Sequence, residues 1–350
     1  MDKMRILITG NLGYVGPNVI RQLRQTHPDA ELLGYDTAFF ATAVTSLDPS
    51  PERGLNAQYY GDVRAIPESL FAGVDAVIHL AAVSNDPMGK AFEEVTMQVN
   101  HLASVAIAQK AKKAGAKAFV FASSCSVYGF AEDGARSEGS SLNPLTAYAR
   151  SKVAAENDLK NIAGKNYTIS CLRFSTACGM SPRLRLDLVL NDFVASAVAL
   201  KKINILSDGT PWRPLIDTKD MARALDWAVS RPAANGGPFL IVNVGTDTWN
   251  YQVKDLALAV QQAMPGVEVS INKNAAPDKR SYKVDFSLFR KLAPRHQPLH
   301  DLAGTVRELK SGLEAIGFAD SNFRESRLIR LKMLNSLKTA GYIGDDLYWK

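Results

Sequence analysis

The chain has 350 residues, 46% of them hydrophobic and 22% charged, a balance suited to one large α/β unit or two closely joined domains. No apolar run approaches the ~18 residues of a membrane span, and the first core strand begins too early to leave room for a cleavable leader, so no membrane partner and a cytoplasmic location are expected. The net charge of +6 is spread thinly, without dense basic runs or interleaved aromatics, which argues against nucleic acid and for an anionic small substrate.

Arg5 to Gly16 reads RILITGNLGYVG. Ile6, Leu7 and Ile8 form an apolar strand running into Gly10, and glycine recurs at Gly13 and Gly16 ahead of the helical stretch NVIRQLRQ. Strand, spaced glycines and helix in that order suit a dinucleotide. Gly10 permits the tight turn, Gly13 lets the backbone approach a pyrophosphate, and Gly16 lets helix and strand pack closely, with phosphates at the positive helix N-terminus. The next strand, AELLGYD, ends at Asp36, about twenty residues after Gly16, the spacing at which an acid meets the adenosine ribose. Thr37, Ala38, Phe39 and Phe40 come next without an Arg or Lys for a 2′-phosphate, which favours NAD over NADP.

Residues 41–56, rich in Pro, Ser and Thr, read as a surface excursion. AQYYGDVR is a short strand ending at Asp62, a helix lies near 67–71, and DAVIHLAA is a fourth strand whose small end residues leave space in a crevice. A helix over about 91–114 carries Asn100. AFVFASS is a strand ending in Ser123 and Ser124, and a polar loop then runs to Pro144. LTAYARSKVAAENDLKNIA is a long helix and YTISCLRFS another strand, so the alternation predicts a parallel sheet covered on both faces.

Beyond Ser175 the rhythm changes to the Arg-dotted SPRLRLDLVLNDFVASAVALKK, a strand and turn in INILSDGTPWRPLID, and the helix TKDMARALDWAVS. FLIVNVG returns to the main sheet, PDKRSY is a loop, and the rest is mostly helix. The expected architecture is α/β: a Rossmann-type doubly wound parallel sheet over 1–175 and about 215–248 that binds NAD, and a smaller mixed α/β substrate domain over about 176–214 and 249–350. Cys125, Cys171 and Cys178, with five histidines, show no ligand spacing, so core thiols and no metal are expected.

Tyr148 and Lys152 stand one turn apart on a helix face. A tyrosine ordinarily loses its proton near pH ~10, too high for a base at neutral pH. The Lys152 ammonium would stabilise the phenolate, and Ser124 at the preceding strand end would hydrogen-bond the substrate oxygen.

With these residues assembled, the chain resembles the extended short-chain dehydrogenases/reductases that include the nucleotide-sugar epimerases and dehydratases. TGNLGYVG is similar to the family's TGxxGxxG, HLAA to its fourth-strand signature, FASSCSVYG to its serine segment and YARSK to its YxxxK. The resemblance covers about residues 4–240. It implies Tyr148 as acid/base, Lys152 holding the nicotinamide ribose and lowering the tyrosine, and Ser124 orienting the sugar hydroxyl. It further implies Asp62 and Val63 at the adenine, and Tyr14, Val15, Leu80, Ala81, Ala82, Ser123, Asn100 and Phe174 around the cofactor. Asn100 reads equally well as a structural helix residue.

On the substrate side, RFSTACGMSPR departs from the family pattern, with Ser175 in place of an Asn and Ala177–Cys178 in place of Val-Tyr. Arg213 matches the arginine directed at a nucleotide diphosphate, a task for which a planar guanidinium fork is suited. Arg280, Arg183, Asn191 and Ser84 complete the substrate candidates. The dehydratase Asp-Glu pair is replaced by Cys125 and Ser126, which disfavours dehydration. The expectation is an NAD-dependent nucleotide-sugar epimerase acting at C4 through a transient 4-keto sugar and hydride return. The alternatives are an NAD(P)H-dependent 4-ketoreductase or dehydrogenase of a nucleotide sugar, and a non-catalytic NAD-binding regulatory protein. A homodimer through the helices at about 91–114 and 147–164 is also implied.

Overall fold

A computed structural model of the chain describes residues 3–272, 274–275 and 280–350, so residues 277–279 of the expected PDKRSY loop lie outside the described residues. Seven strands form the central sheet: β1 (Arg5–Thr9), β2 (Glu31–Asp36), β3 (Ala57–Tyr60), β4 (Ala76–His79), β5 (Ala118–Ser124), β6 (Thr168–Phe174) and β7 (Phe239–Val244). Their order is β3-β2-β1-β4-β5-β6-β7, and every pairing is parallel. Strand order reverses between β1 and β4, so connections leave in opposite directions there and a crevice opens at the carboxyl ends.

A parallel sheet covered by helices needs apolar side chains on both faces, and β1 supplies them within three residues. Ile6 and Ile8 pack with α1 (Gly16–Thr26), while Leu7 faces the opposite core with Phe119 and Ile169. On the first face lie α1 and a later helix, Thr218–Val229, through Val19, Leu23, Leu225 and Ala228. The second face is covered by the helical run 93–113 and by α2 (Ala147–Lys160), through Ile107, Ala111, Ala155 and Leu159. A third core gathers α3 (Val189–Leu200), α4 (Val253–Ala263) and α5 (Leu302–Ala315) around Val194, Val260 and Leu309.

Three features differ from expectation. The excursion at 41–56 is anchored: Ala43 is fully buried, and the Thr45 hydroxyl donates to Ser181 O at 3.0 Å and accepts from Leu184 N–H at 3.0 Å. The polar loop before Pro144 contains a strand, Phe130–Arg136, that pairs in parallel with Ser281–Val284. The run 93–113 widens into a π-helical turn over Gln98–Ala103, placing Asn100 where it can reach the loop after β4.

Cys125, Cys171 and Cys178 are buried, unbonded thiols. His79 lies between the hydroxyls of Thr9, at 2.6 Å, and Ser104, at 2.9 Å, and burial pushes its pKa down to about 3, so it is a neutral core residue. Among the described residues, no helix is long and apolar enough to cross a membrane and no group of His, Cys, Asp and Glu is placed to hold a metal.

Candidate active site

A cleft of about 920 Å³ runs along the carboxyl ends of the central strands. At one end, β1 turns into α1 through Gly10, whose φ of +75° lies in the left-handed region and whose Cβ, if present, would collide with the Ala81 backbone. The Gly13 N–H closes the turn on the Gly10 carbonyl at 3.1 Å. Gly10, Gly13, Tyr14 and Val15 line the cleft. Gly16 does not: it lies against the Asn11 backbone with no space for a side chain, serving the close approach of helix and turn.

Asp36 ends β2 in the cleft wall, one carboxylate oxygen accepting from Leu12 N–H at 3.0 Å and the other from Ala38 N–H at 2.7 Å. Burial pushes its pKa up. The two backbone donors, and the arginines Arg183 and Arg330, oppose that rise. Asp62 and Val63 line the same end, with Asp62 paired to Arg64 at 2.6 Å.

At the other end of the cleft, Thr146 caps α2 by accepting from Ala149 N–H at 3.1 Å, which starts the helix so that Tyr148 and Lys152 face inward. Tyr148 is half-buried and Lys152 buried. The Lys152 ammonium donates to Ala122 O at 2.7 Å and lies 4.5 Å from the Phe121 ring centroid. Burial pulls it down to about 7, against the opposing influence of Glu156. Burial pushes Tyr148 up to about 12. The counteracting pull comes from the Ser124 hydroxyl and the Arg185 guanidinium, where the sequence assigned that role to Lys152.

Beneath these groups a buried network fixes the end of β5. Ser123 donates to Glu156 at 2.6 Å, Glu156 pairs with Arg173 at 2.7 Å, and Arg173 donates to the Tyr128 hydroxyl at 3.0 Å. Each charge has a partner, which is the condition for keeping it in a core. Ser124 Oγ accepts from Ser126 N–H at 3.1 Å, and Cys125 is fully buried with its thiol donating to Arg173 O.

The structure brings together, in one cleft wall, Leu80, Ala81, Ala82, Ser84, Ser123, Ser124, Tyr148, Lys152, Phe174, Ser175, Arg213 and Arg280. It leaves out Asn100, Arg183 and Asn191. Asn100 is fully buried, accepting from Val83 N–H at 2.8 Å and donating to Val83 O at 2.9 Å, so it pins the cleft-lining loop from behind. Arg183 pairs with Glu52 at 2.5 Å, because the anchored 41–56 segment delivers a carboxylate to it. Asn191 donates to the Tyr14 hydroxyl and to Arg185 O, both at 2.9 Å, and so joins the two halves. Ser175 reaches the wall, but its hydroxyl donates to Val244 O at 3.1 Å.

Sequence reasoning missed the pair Arg185–Asp187, which closes the cleft near Tyr148. Arg185 donates to Asp187 at 2.9 and 3.0 Å and to Ser84 Oγ at 2.8 Å, and Asn85 donates to Asp187 at 2.7 Å. It also missed Asp86, which accepts from Thr146 and from Arg280, both at 2.8 Å. The Arg-x-Asp spacing in LRLD was the only local trace of the first pair, and its partners lie about a hundred residues away.

Residues 6–245 match the model of the NAD dependent epimerase/dehydratase family. Over 251 residues the chain is 28% identical to a Bacillus subtilis protein named uncharacterized UDP-glucose epimerase YtcB, covering 69% of this chain and 77% of that one. It is 26% identical over 262 residues to the Mus musculus dTDP-D-glucose 4,6-dehydratase, covering 73% and 71%. A UDP-glucose-4-epimerase from Stenotrophomonas maltophila, solved with bound NAD and formylated UDP-arabinopyranose, superposes with a TM-score of 0.76 over 91% of this chain and 100% of that one. At 23% identity that likeness is one of fold.

Proposed function

The chain belongs to the NAD dependent epimerase/dehydratase family, and from that premise we propose that it is a nucleotide-sugar 4-epimerase. The observation that carries the reading is the identity of Cys125 and Ser126. The Tyr148–Lys152–Ser124 set shares one cleft, and these two positions after Ser124 hold a buried thiol and a hydroxyl instead of the acid and base that an elimination needs. Such a site supports proton transfer at a single sugar hydroxyl.

The cofactor end fits NAD. The Gly10 turn leaves no room for a Cβ, Gly13 to Val15 bring backbone and the α1 N-terminus to the cleft, and Asp36 presents a buried carboxylate at the end of β2. Asp36 would hold the adenosine ribose, the Gly10–Val15 backbone the pyrophosphate, and Lys152 the nicotinamide ribose. When bound, NAD supplies reversible oxidation at a sugar carbon. As the phenolate, Tyr148 would take the proton of the sugar hydroxyl and, as the phenol, later return it, with Ser124 orienting that hydroxyl. Arg213 and Arg280 hold the diphosphate. The cofactor then belongs mainly to residues 1–175 with about 215–248, and the substrate to about 176–214 with 249–350, apart from the C-terminal residues that reach Thr37 and Arg64 at the cofactor end. The reading includes a homodimer through the helices at about 91–114 and 147–164, where Leu102 is 57% exposed.

The test is incubation with a panel of nucleotide sugars without added reductant, and then NMR of the products. Interconversion of C4 isomers is expected. In a parallel incubation supplied with NADH and a keto sugar, net oxidation of NADH, with no isomers from the first, would replace the reading by a 4-ketoreductase. NAD binding without turnover of any panel member would leave a regulatory protein.

A further inference from the structure

Trp349 and Thr37 are 312 residues apart, yet the Trp349 indole N–H donates to the Thr37 carbonyl at 2.7 Å, and the Trp349 ring lies 5.3 Å from that of Phe39. Beside it the Arg64 guanidinium sits 3.7 Å from the Tyr348 ring centroid. Leu347 is 3% exposed and lines the cleft. It packs with Ile343, and with Leu334 of the helix Arg330–Thr339, against Val83, Met88 and Phe92. From the same helix, Arg330 lies 4.5 Å from the Phe40 ring centroid and also lines the cleft.

The Thr37–Phe40 segment directly succeeds Asp36, and Arg64 is paired with Asp62 two residues before it. The Thr37, Phe39, Phe40 and Arg64 contacts therefore lie at the end of the cleft where β2 delivers its acid toward an adenosine, while the apolar cluster on Val83, Met88 and Phe92 carries the segment along the cleft from there. The local backbone agrees. Leu347 holds a φ of +57°, which a leucine adopts only at a cost, and the hairpin closed by the Ile343–Trp349 bridge keeps it there with its side chain in the cleft wall.

We infer that residues 330–349 build the outer wall of the adenosine half of the cofactor site, so that NAD is enclosed between the sheet and this segment and leaves only when the segment undocks. The inference rests on the NAD part of the proposed reading and is independent of the sugar chemistry. The segment is held by the Trp349 indole hydrogen bond, by Arg330 donating to Arg183 O at 2.8 Å, by the cation–π contacts Arg64–Tyr348, Arg330–Phe40 and Lys338–Phe92, and by a small apolar cluster. Its last residues rest on the Trp349 and Tyr348 contacts alone among these polar and ring anchors. Such a wall suits an enzyme that restores its cofactor in every cycle, and not one that must exchange it.

The test loads the full chain with NAD, removes free nucleotide by gel filtration, and measures NAD release with no sugar present. Tyr348→Ala combined with Trp349→Ala is expected to release NAD at least about tenfold faster, the size of effect for losing one anchoring aromatic contact. Leu299→Ala, at a residue 71% exposed and outside the segment, is expected to leave the rate unchanged. In the unaltered chain, NAD is expected to slow amide exchange across 342–349. Release from the double variant within about twofold of the parent would overturn the inference, as would exchange at 342–349 that ignores NAD. Failure of C4 isomerisation with a slow, segment-dependent NAD release would instead count against the epimerase alone.

Discussion

Tyr148 is pushed up to about 12 by burial, so its hydroxyl works as a base only through groups that favour the phenolate. Ser124 and Arg185 are two such groups. Tyr148→Phe is expected to retain NAD affinity by calorimetry and to lose turnover by roughly 10²- to 10⁴-fold, the usual worth of a positioned acid/base; a variant with near-parent turnover would remove the assignment. Lys152 gives a prediction with a definite sign. Its folded-state pKa is about 7 against 10.5 in the ordinary case. Between those values the unfolded chain holds a proton that the folded chain does not, so Lys152 contributes stability that grows as pH rises from about 7 to 10.5. In NAD-free protein, the urea stability of the parent relative to Lys152→Met is expected to increase across about pH 7 to 9, by up to about 1 kcal/mol per unit. A flat difference would show that the lysine is not desolvated.

At the scale of elements, the loop after β4 illustrates how a site is held from behind. The π-helical turn at Gln98–Ala103 brings Asn100 to Val83, whose N–H and carbonyl it satisfies together. Asn100→Ala leaves two buried backbone groups unpaired, and roughly 2–4 kcal/mol of stability should be lost in urea unfolding. NAD affinity is expected to fall with it, since Val83 lines the cleft. The strands, the glycine turn and the YARSK helix were legible because each is written in adjacent residues: apolar runs, glycine at set intervals, Tyr and Lys one turn apart. The strand Phe130–Arg136 was not, since its partner Ser281–Val284 lies some 150 residues on and its own composition is polar. The 41–56 segment looked solvated for the same reason, its anchors being Ser181 and Leu184.

For the molecule as a whole, the homodimer reading puts an exposed apolar residue to use. Leu102→Glu is expected to convert a dimer to a monomer by light scattering while leaving NAD binding intact; a parent chain that is already monomeric would refute the reading. The sequence by itself determined the doubly wound sheet and the cofactor-binding turn. It also placed the Tyr148–Lys152 pair on one helix behind the Ser124 strand end. Those features arise from periodicity and spacing within a few turns of chain, where backbone geometry maps residue number directly onto position. Only the tertiary structure decided which arginines reach the cleft and which are consumed elsewhere. Arg183 is paired by Glu52, Arg185 is held by Ser84 and Asp187, and residues 330–349 cross the molecule to Thr37 and Arg64. A long-range pairing of charge or ring depends on the path of the whole chain, and a charged side chain looks the same in sequence whether its partner is water, a ligand or a carboxylate brought from a distant segment.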